Sequence, residues 1–243
     1  MSNLKGVGGG KVTLDGRLSA VSALVRRGAV FADIGTDHAY LPLYLLQEGR
    51  ISRAVASDVA EGPLERARRN VMSVGQSERV TLLLTDGLSG MEKMGLTDIA
   101  ICGMGGEVIA SILSAAPFVF DPSIRLILQP MSRVPLLRKY LYENGFTIEE
   151  ERVATSSGKI YFCLAAAYGA PPRVPTETEL LIGSPRLICE EEKTVYLAYL
   201  QTQKKAAEKR LEGKRAGGLS TEEEEKFLRA LLTESERVEN DGK

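Results

Sequence analysis

The chain of 243 residues is long enough for one α/β domain and a smaller appendage. Its 44% hydrophobic and 26% charged residues are ordinary for a globular protein, and the net charge of −1 gives no overall sign of nucleic-acid binding. Three cysteines without a C-x-x-C pair predict neither a disulfide framework nor a metal site, and they favour a reducing, cytoplasmic setting.

Apolar runs and helical patterns alternate over the first two thirds of the chain. Apolar residues at helical spacing predict a helix over 14–25, which Gly28 ends. Strands are predicted at 29–34, 53–57, 80–84, 98–102, 124–129, 146–153 and 160–167, and further helices near 40–48, 63–74, 88–94, 106–115 and 132–144. This alternation predicts βαβ units and a parallel sheet. No signal-peptide pattern is present, and no stretch is apolar enough to predict a membrane span.

The last two predicted strands break the alternation. Only residues 154–159 separate them, which is too short for a helical crossover, so the two strands must pair as an antiparallel hairpin. Five parallel strands followed by such a hairpin are typical of Rossmann-like methyltransferases, whereas NAD-binding Rossmann domains normally keep their final strand parallel. The predicted fold class is therefore α/β, a Rossmann-like class I methyltransferase with a seven-stranded, mostly parallel sheet.

The C-terminal third has a different character. The composition of Gly169–Pro175 indicates a linker or a surface excursion, and a long amphipathic helix is then predicted over 188–212. A turn at 213–219 and a capping-box start at Ser220 predict a second helix, so the two form an antiparallel helical hairpin or short coiled coil. Basic residues gather at the end of the first helix and its turn: Lys204, Lys205, Lys209, Arg210, Lys214 and Arg215. They would either contact phosphates or form ion pairs within a solvated coiled coil.

Carboxylates end three of the predicted strands. Asp33, Asp58 and Asp86 follow the first, second and third strand, at the edge where open α/β sheets bind ligands. Asp33 can face an ammonium group, and Gly35 beside it allows a tight turn and close approach of the backbone. An acid at Asp58 can accept hydrogen bonds from ribose hydroxyls. Asp86 could accept from an adenine amine, while the next backbone N–H, that of Gly87, could pair with a ring nitrogen.

The loop after the first strand identifies the kind of nucleotide. A dinucleotide site requires G-x-G-x-x-G, but here a single glycine is followed by Thr36, Asp37 and His38. Added carboxylates would repel a pyrophosphate, whereas they suit a ligand with an ammonium and a sulfonium group. S-adenosylmethionine is therefore favoured over NAD. The alternative for Asp37 is a plain helix N-cap, and a lone histidine is more often structural than catalytic.

Glycines follow the fourth strand, and an amide ends the fifth. The segment Gly103–Gly106 offers bare backbone beside the reversal of strand order, where both a methyl donor and a flat acceptor base could enter. Gln129 can donate and accept hydrogen bonds, so it could read a base edge, although a plain turn residue is the alternative.

Several of these motifs resemble those of the bacterial tRNA (adenine(22)-N1)-methyltransferase family. The matching segments are Asp33–Pro42, Glu61–Pro63, Asp86–Leu88, Gly103–Gly106 and Leu128–Met131, with Arg17 and Leu18 in the leading helix. The resemblance covers nearly the whole chain, including the helical hairpin. It implies binding of S-adenosylmethionine and methylation of one adenine N1 in the D-arm region of tRNA.

The expected organisation follows from this resemblance. It implies a methyltransferase domain over 1–168, a linker over 169–183 and a tRNA-binding helical hairpin over 184–243. The expected catalytic residues are Asp37, Gly103, Met104 and Gln129, and the expected cofactor-binding residues are Arg17, Asp33, Gly35, His38, Asp58, Asp86, Gly87 and Gly103. No metal is expected, and the sequence leaves the oligomeric state open. A methyltransferase of the same fold acting on another RNA or a small molecule, and a non-catalytic tRNA-binding protein, remain alternatives.

Overall fold

The computed structural model describes residues 10–240, so the outermost residues of the first and last predicted domains lie outside it. Within that range the strands are β1 Ala29–Ile34, β2 Ile51–Asp58, β3 Val80–Leu84, β4 Asp98–Gly105, β5 Arg125–Ser132, β6 Phe146–Ser156 and β7 Lys159–Tyr168. They form one sheet of order β3-β2-β1-β4-β5-β7-β6, in which β7 runs antiparallel to β5 and β6. The predicted sheet, with its final hairpin, is confirmed.

The helices pack on both faces of this sheet and beyond its last strands. They are α1 Gly16–Leu24, α2 Tyr40–Gln47, α3 Glu61–Ser73, α4 Gly106–Ser114, α5 Val134–Glu143, α6 Glu177–Ile182, α7 Lys193–Ala216 and α8 Glu222–Asn240. The predicted helix at 88–94 is wrong, because that segment forms turns. Gly87, Gly90 and Gly95 adopt φ values of 55°, 77° and 65°, which a right-handed helix cannot accommodate. None of the helices within residues 10–240 is long and apolar enough to cross a membrane.

Side chains of the central strands alternate between two apolar layers. Ile99 and Ile101 of β4 lie in the layer that contains buried residues of α4 and α5, whereas Ala100 between them lies in the layer with α1, α2 and α3. Because both faces are covered, the strands are nearly continuous apolar runs, as in other parallel sheets. At the carboxyl edge of the sheet, β1 and β4 flank the reversal of strand order, which is where open α/β sheets bind ligands.

The C-terminal helices are packed against the core. The last carbonyls of α6 accept three side-chain hydrogen bonds: Leu180 from Arg138 at 3.0 Å, Leu181 from Tyr199 at 2.6 Å and Ile182 from Tyr196 at 2.9 Å. These bonds satisfy carbonyls that a helix end leaves unpaired. The stretch expected as a linker therefore contains a short helix that is fixed to both α5 and α7.

A buried ion pair stabilises the junction between the sheet and the start of the helical hairpin. Arg138 of α5 lies 3.0 Å from Glu151 of β6, and their side chains are 0% and 1% exposed. Glu151 also accepts a hydrogen bond from the backbone N–H of Ser184, and the Arg138 guanidinium stacks over the ring of Phe162. The start of the helical hairpin is thus held in place by the sheet.

Candidate active site

Two adjoining pockets open at the carboxyl edge of the sheet. The first, called here the Asp33 pocket, has a volume of about 220 Å³ and is lined by Arg17, Asp33, Thr36, Asp37, His38 and Tyr40 among others. The second, called the Asp86 pocket, has a volume of about 440 Å³ and is lined by Asp58, Val59, Asp86, Gly87, Met104 and Val108 among others. Gly35, Cys102 and Gly103 line both. One elongated ligand could therefore occupy the two pockets across this shared seam.

Two glycines line the seam between the pockets. Gly35 has a φ of 72°, and a Cβ at this position would lie 2.2 Å from Cε of Met104. Gly103 has a φ of 78°, and a Cβ there would meet nothing within 4 Å. Gly106 differs, because its Cβ would lie 2.5 Å from the carbonyl oxygen of Arg133. Gly103 thus leaves open space at the pocket, while Gly106 allows α4 to pack closely against the β5–α5 connection.

Asp33 is a buried carboxylate at the end of β1. Its exposure is 6%, and it accepts a hydrogen bond of 2.5 Å from the hydroxyl of Thr36. Burial raises the pKa of Asp33 to about 6, against the opposing effects of the Thr36 hydrogen bond and the Arg17 charge. A cationic ligand group beside Asp33 would favour its ionised form, so the position suits an ammonium group.

Asp37 projects from the loop between β1 and α2. Its backbone has a φ of 49°, and its side chain is 53% exposed. The N-cap position of α2 is held by Ala39, so the alternative that Asp37 is an N-cap is wrong. Instead, Asp37 Oδ1 accepts hydrogen bonds of 2.5 Å and 3.2 Å from Arg66 of α3. Its other oxygen lies 3.4 Å from Nε2 of His38.

His38 and Tyr40 form a stacked pair at the Asp33 pocket. Their ring centroids lie 4.9 Å apart with an angle of 4° between the planes. The backbone carbonyl of His38 accepts a hydrogen bond of 2.9 Å from Asn70 of α3. The Asn70 and Arg66 contacts together fix the loop against α3, and neither is evident in the sequence because the partners are about thirty residues apart.

Asp58 and Asp86 face the second pocket. Asp58 accepts hydrogen bonds from the backbone N–H groups of Ala60 at 3.0 Å and Asp37 at 3.3 Å, one on each oxygen. Each oxygen keeps a second lone pair, so the carboxylate can still accept from a ligand hydroxyl. Asp86 is exposed, and Gly87 beside it has a φ of 55°. These are the positions expected for ribose and adenine contacts.

Gln129 lies behind the pockets, which differs from the expectation that it reads a base edge. It is 0% exposed, and its amide groups are already engaged by the protein. Its Oε1 accepts from Arg17 at 2.5 Å and from the Gly103 N–H at 3.1 Å, and its Nε2 donates to the carbonyl of Pro130 at 2.9 Å. A buried amide with these partners has no free group to offer a base.

The thiol of Cys102 is unsuited to nucleophilic catalysis. Burial, together with the charge of Asp33, raises the pKa of Cys102 well above its usual range, so the thiol stays protonated. Met104 reaches from β4 toward Gly35, as its Cε position shows, and it lines the Asp86 pocket.

The donor set suits S-adenosylmethionine. A guanidinium at Arg17 matches a carboxylate, buried Asp33 matches an ammonium, Asp58 matches vicinal hydroxyls, and Asp86 with Gly87 matches an adenine edge. Gly103, between the two pockets, leaves room for the chain that joins the methionine and adenosine parts.

Comparisons with known proteins agree with this geometry. A family model described as a methyltransferase domain matches residues 14–164. The tRNA (adenine(22)-N(1))-methyltransferase of Bacillus subtilis is 34% identical over 191 residues, which are 77% of this chain and 79% of that protein. The crystal structure of the B. subtilis m1A22 tRNA methyltransferase matches with a TM-score of 0.73 and 31% identity, over 94% of this chain and 98% of the other. A Streptococcus pneumoniae structure in complex with S-adenosyl-L-methionine matches with a TM-score of 0.74 and 30% identity, over 93% and 99% of the two chains.

Proposed function

The chain belongs to the bacterial tRNA (adenine(22)-N1)-methyltransferase family of S-adenosylmethionine-dependent enzymes, and from this premise we propose that it methylates N1 of adenine 22 in tRNA. The observation that supports the proposal is that the Asp33 pocket and the Asp86 pocket adjoin and share Gly35 and Gly103 as lining residues. The seam between them is the place where a methyl group would face an incoming base.

We assign the cofactor contacts from the geometry of the pockets. Arg17 binds the carboxylate of the methionine part, and Asp33 binds its ammonium group. Asp58 accepts from the ribose hydroxyls, while Asp86 and Gly87 bind the adenine edge. When bound, the cofactor supplies a methyl group on a sulfonium centre.

The acceptor needs no general base in this reaction. Adenine N1 carries a free lone pair at neutral pH, so the protein has only to align it with the methyl group and exclude water. Because N1 lies on the Watson–Crick edge, the base must be unpaired or extruded before it enters.

Asp37 is the residue we assign to charge stabilisation. Methylation at N1 makes the adenine cationic, and a carboxylate close to the base would stabilise that developing charge. Asp37 lines the Asp33 pocket with 53% of its side chain exposed, so it remains accessible from the open side. Its Arg66 partner engages one oxygen and leaves Oδ2 on the His38 side.

The helical hairpin offers a basic surface for tRNA, although part of its charge is used internally. Lys214 and Arg215 of α7 pair with Glu224 and Glu225 of α8, as expected for the ion-paired alternative. Lys205 and Lys209 are exposed, four residues apart on α7, and form no ion pair with any residue in 10–240. We assign phosphate contacts to these two lysines.

The test is mass spectrometric mapping of modified nucleosides in unmodified bulk tRNA after incubation with the protein and S-adenosylmethionine. The proposal predicts 1-methyladenosine in one fragment that contains position 22. Methylation at another RNA position or only on a small molecule would favour another acceptor, and failure to bind the cofactor would indicate a non-catalytic tRNA-binding protein.

A further inference from the structure

Gly103 occupies an irregular position in the sheet. The register of β4 against β5 pairs Cys102 with Gln129 and Met104 with Pro130, so Gly103 between them is passed over. Its backbone adopts a φ of 78°, as a glycine can at a β-bulge. The side chain of Gln129 binds the backbone of the bulged residue, because the Gly103 N–H donates a hydrogen bond of 3.1 Å to Gln129 Oε1.

The same oxygen atom, Gln129 Oε1, also accepts a hydrogen bond from Arg17. The Arg17 Nη1 group lies 2.5 Å from Gln129 Oε1, although the two residues are 112 positions apart in the chain. Both groups that contact Gln129 Oε1 can only donate hydrogen bonds, so the atom that they face must be the amide oxygen and not the amide nitrogen. Nε2 therefore points to the Pro130 carbonyl and donates to it. Gln129 is thus a buried link between α1 and the β4 bulge.

Both linked groups lie on the Asp33 pocket, whereas Gln129 itself does not. Arg17 is 15% exposed, so its direction is set almost entirely by the protein contacts around it. We propose that Gln129 is a positioning residue that holds both Arg17 and the Gly103 bulge in place. It thereby couples cofactor binding through Arg17 to the shape of the seam between the two pockets. The proposal rests on the assignment of Arg17 to the cofactor carboxylate, and it does not depend on which acceptor is methylated.

Loss of this oxygen has a defined physical consequence. Replacement of Gln129 by methionine would keep the side-chain volume but leave a backbone N–H and a guanidinium group without their shared acceptor. Arg17 would then reorient, so the cofactor would bind more weakly. Gln129→Glu keeps an acceptor for both donors but loses the N–H that donates to the Pro130 carbonyl, so it should bind the cofactor more tightly than Gln129→Met and more weakly than the wild type.

A double-mutant cycle on cofactor affinity tests the proposal. The dissociation constant of S-adenosylmethionine is measured by calorimetry for the wild-type protein, Arg17→Met, Gln129→Met and the double variant. We expect each single change to weaken binding by about tenfold or more, and the double variant to be no more than about threefold weaker than Arg17→Met. The proposal would be overturned if the fold-losses of affinity in the two single variants multiplied in the double variant. It would also be overturned if Gln129→Met bound S-adenosylmethionine within twofold of the wild-type affinity.

A matched control separates positioning from loss of stability. Thr97 accepts a hydrogen bond of 3.0 Å from the Val30 N–H at the opposite edge of the sheet. Thr97→Val should lower the melting temperature without changing the cofactor dissociation constant. If Gln129→Met does not fold, Gln129→Glu replaces it in the test. Because Glu keeps the acceptor for Gly103 and Arg17, the proposal predicts a smaller loss of affinity than in Arg17→Met. A loss in a folded Gln129→Glu as large as that in Arg17→Met would contradict the proposal. Because no tRNA is used, the result stands apart from the proposed methylation of adenine 22.

Discussion

The carboxylate of Asp37 lies 2.5 Å from the guanidinium of Arg66, and this pair connects the loop after β1 to α3 at the mouth of the Asp33 pocket. Both side chains are partly exposed, at 53% and 41%, so the pair is accessible from solvent. An exposed pair of this kind contributes little to stability by itself. We propose that the pair sets the position of the Asp37 carboxylate beside the incoming base.

Asp37→Asn is expected to lower turnover by roughly tenfold or more, because the neutral amide no longer stabilises the cationic methyladenine. The dissociation constant of S-adenosylmethionine should change by less than about threefold, since the contacts to the methionine part are assigned to Asp33 and Arg17. Single-turnover kinetics and calorimetry separate the two effects. The control is Glu65→Gln, an exposed acid of α3 that pairs with Arg68. Full turnover with weakened cofactor binding would show that Asp37 is a cofactor ligand instead.

Cofactor binding should weaken as the pH falls through about 6. The pKa of Asp33 in the free protein is raised to about 6, mainly by burial, so protonation below that pH removes the charge that faces the ammonium group. If only the ionised form binds, the dissociation constant rises about tenfold for each further pH unit. Calorimetry between pH 5 and 8 measures this slope. Asp33→Asn should bind weakly at every pH, and a flat wild-type profile would contradict the assignment.

Breaking the Arg138–Glu151 ion pair should destabilise the protein strongly. Both side chains are buried, so Arg138→Met leaves an uncompensated carboxylate and should lower the free energy of unfolding by about 3–5 kcal/mol. Denaturant unfolding followed by circular dichroism measures the loss. Lys139→Ala removes an exposed pair with Glu143 on the same helix and should cost less than about 1 kcal/mol. Equal effects of the two changes would mean that the buried pair does not stabilise the junction.

Lys205→Gln combined with Lys209→Gln should weaken tRNA binding and reduce its dependence on salt, by about one unit of slope for each phosphate contact removed. Affinity for S-adenosylmethionine should not change. Lys204→Gln is the control, because Lys204 already lies 4.0 Å from Glu208. These substitutions are a sharper test than removal of the hairpin, which would also take away Tyr196 and Tyr199 and expose the end of α6. An unaltered salt dependence would place the tRNA contacts elsewhere.

The sequence predicted the sheet because hydrophobic runs and the six residues between the last two predicted strands leave few topologies open. It failed at 88–94, where Gly90 within the segment and Gly87 and Gly95 on either side adopt positive φ and override a weak helical pattern. The strand-end acids were predictable, since parallel strands present their carboxyl ends at one edge. The Arg66 contact to Asp37 and the burial of Gln129 were not, because both depend on tertiary packing between distant segments.

Methyl transfer to two tRNA transcripts that differ only at position 22 tests the proposed function most directly. One transcript carries adenine at that position and the other carries guanine, and incorporation of a labelled methyl group from S-adenosylmethionine is followed for both. The account predicts 1-methyladenosine in the first transcript and no incorporation in the second. Equal incorporation into both transcripts would contradict it.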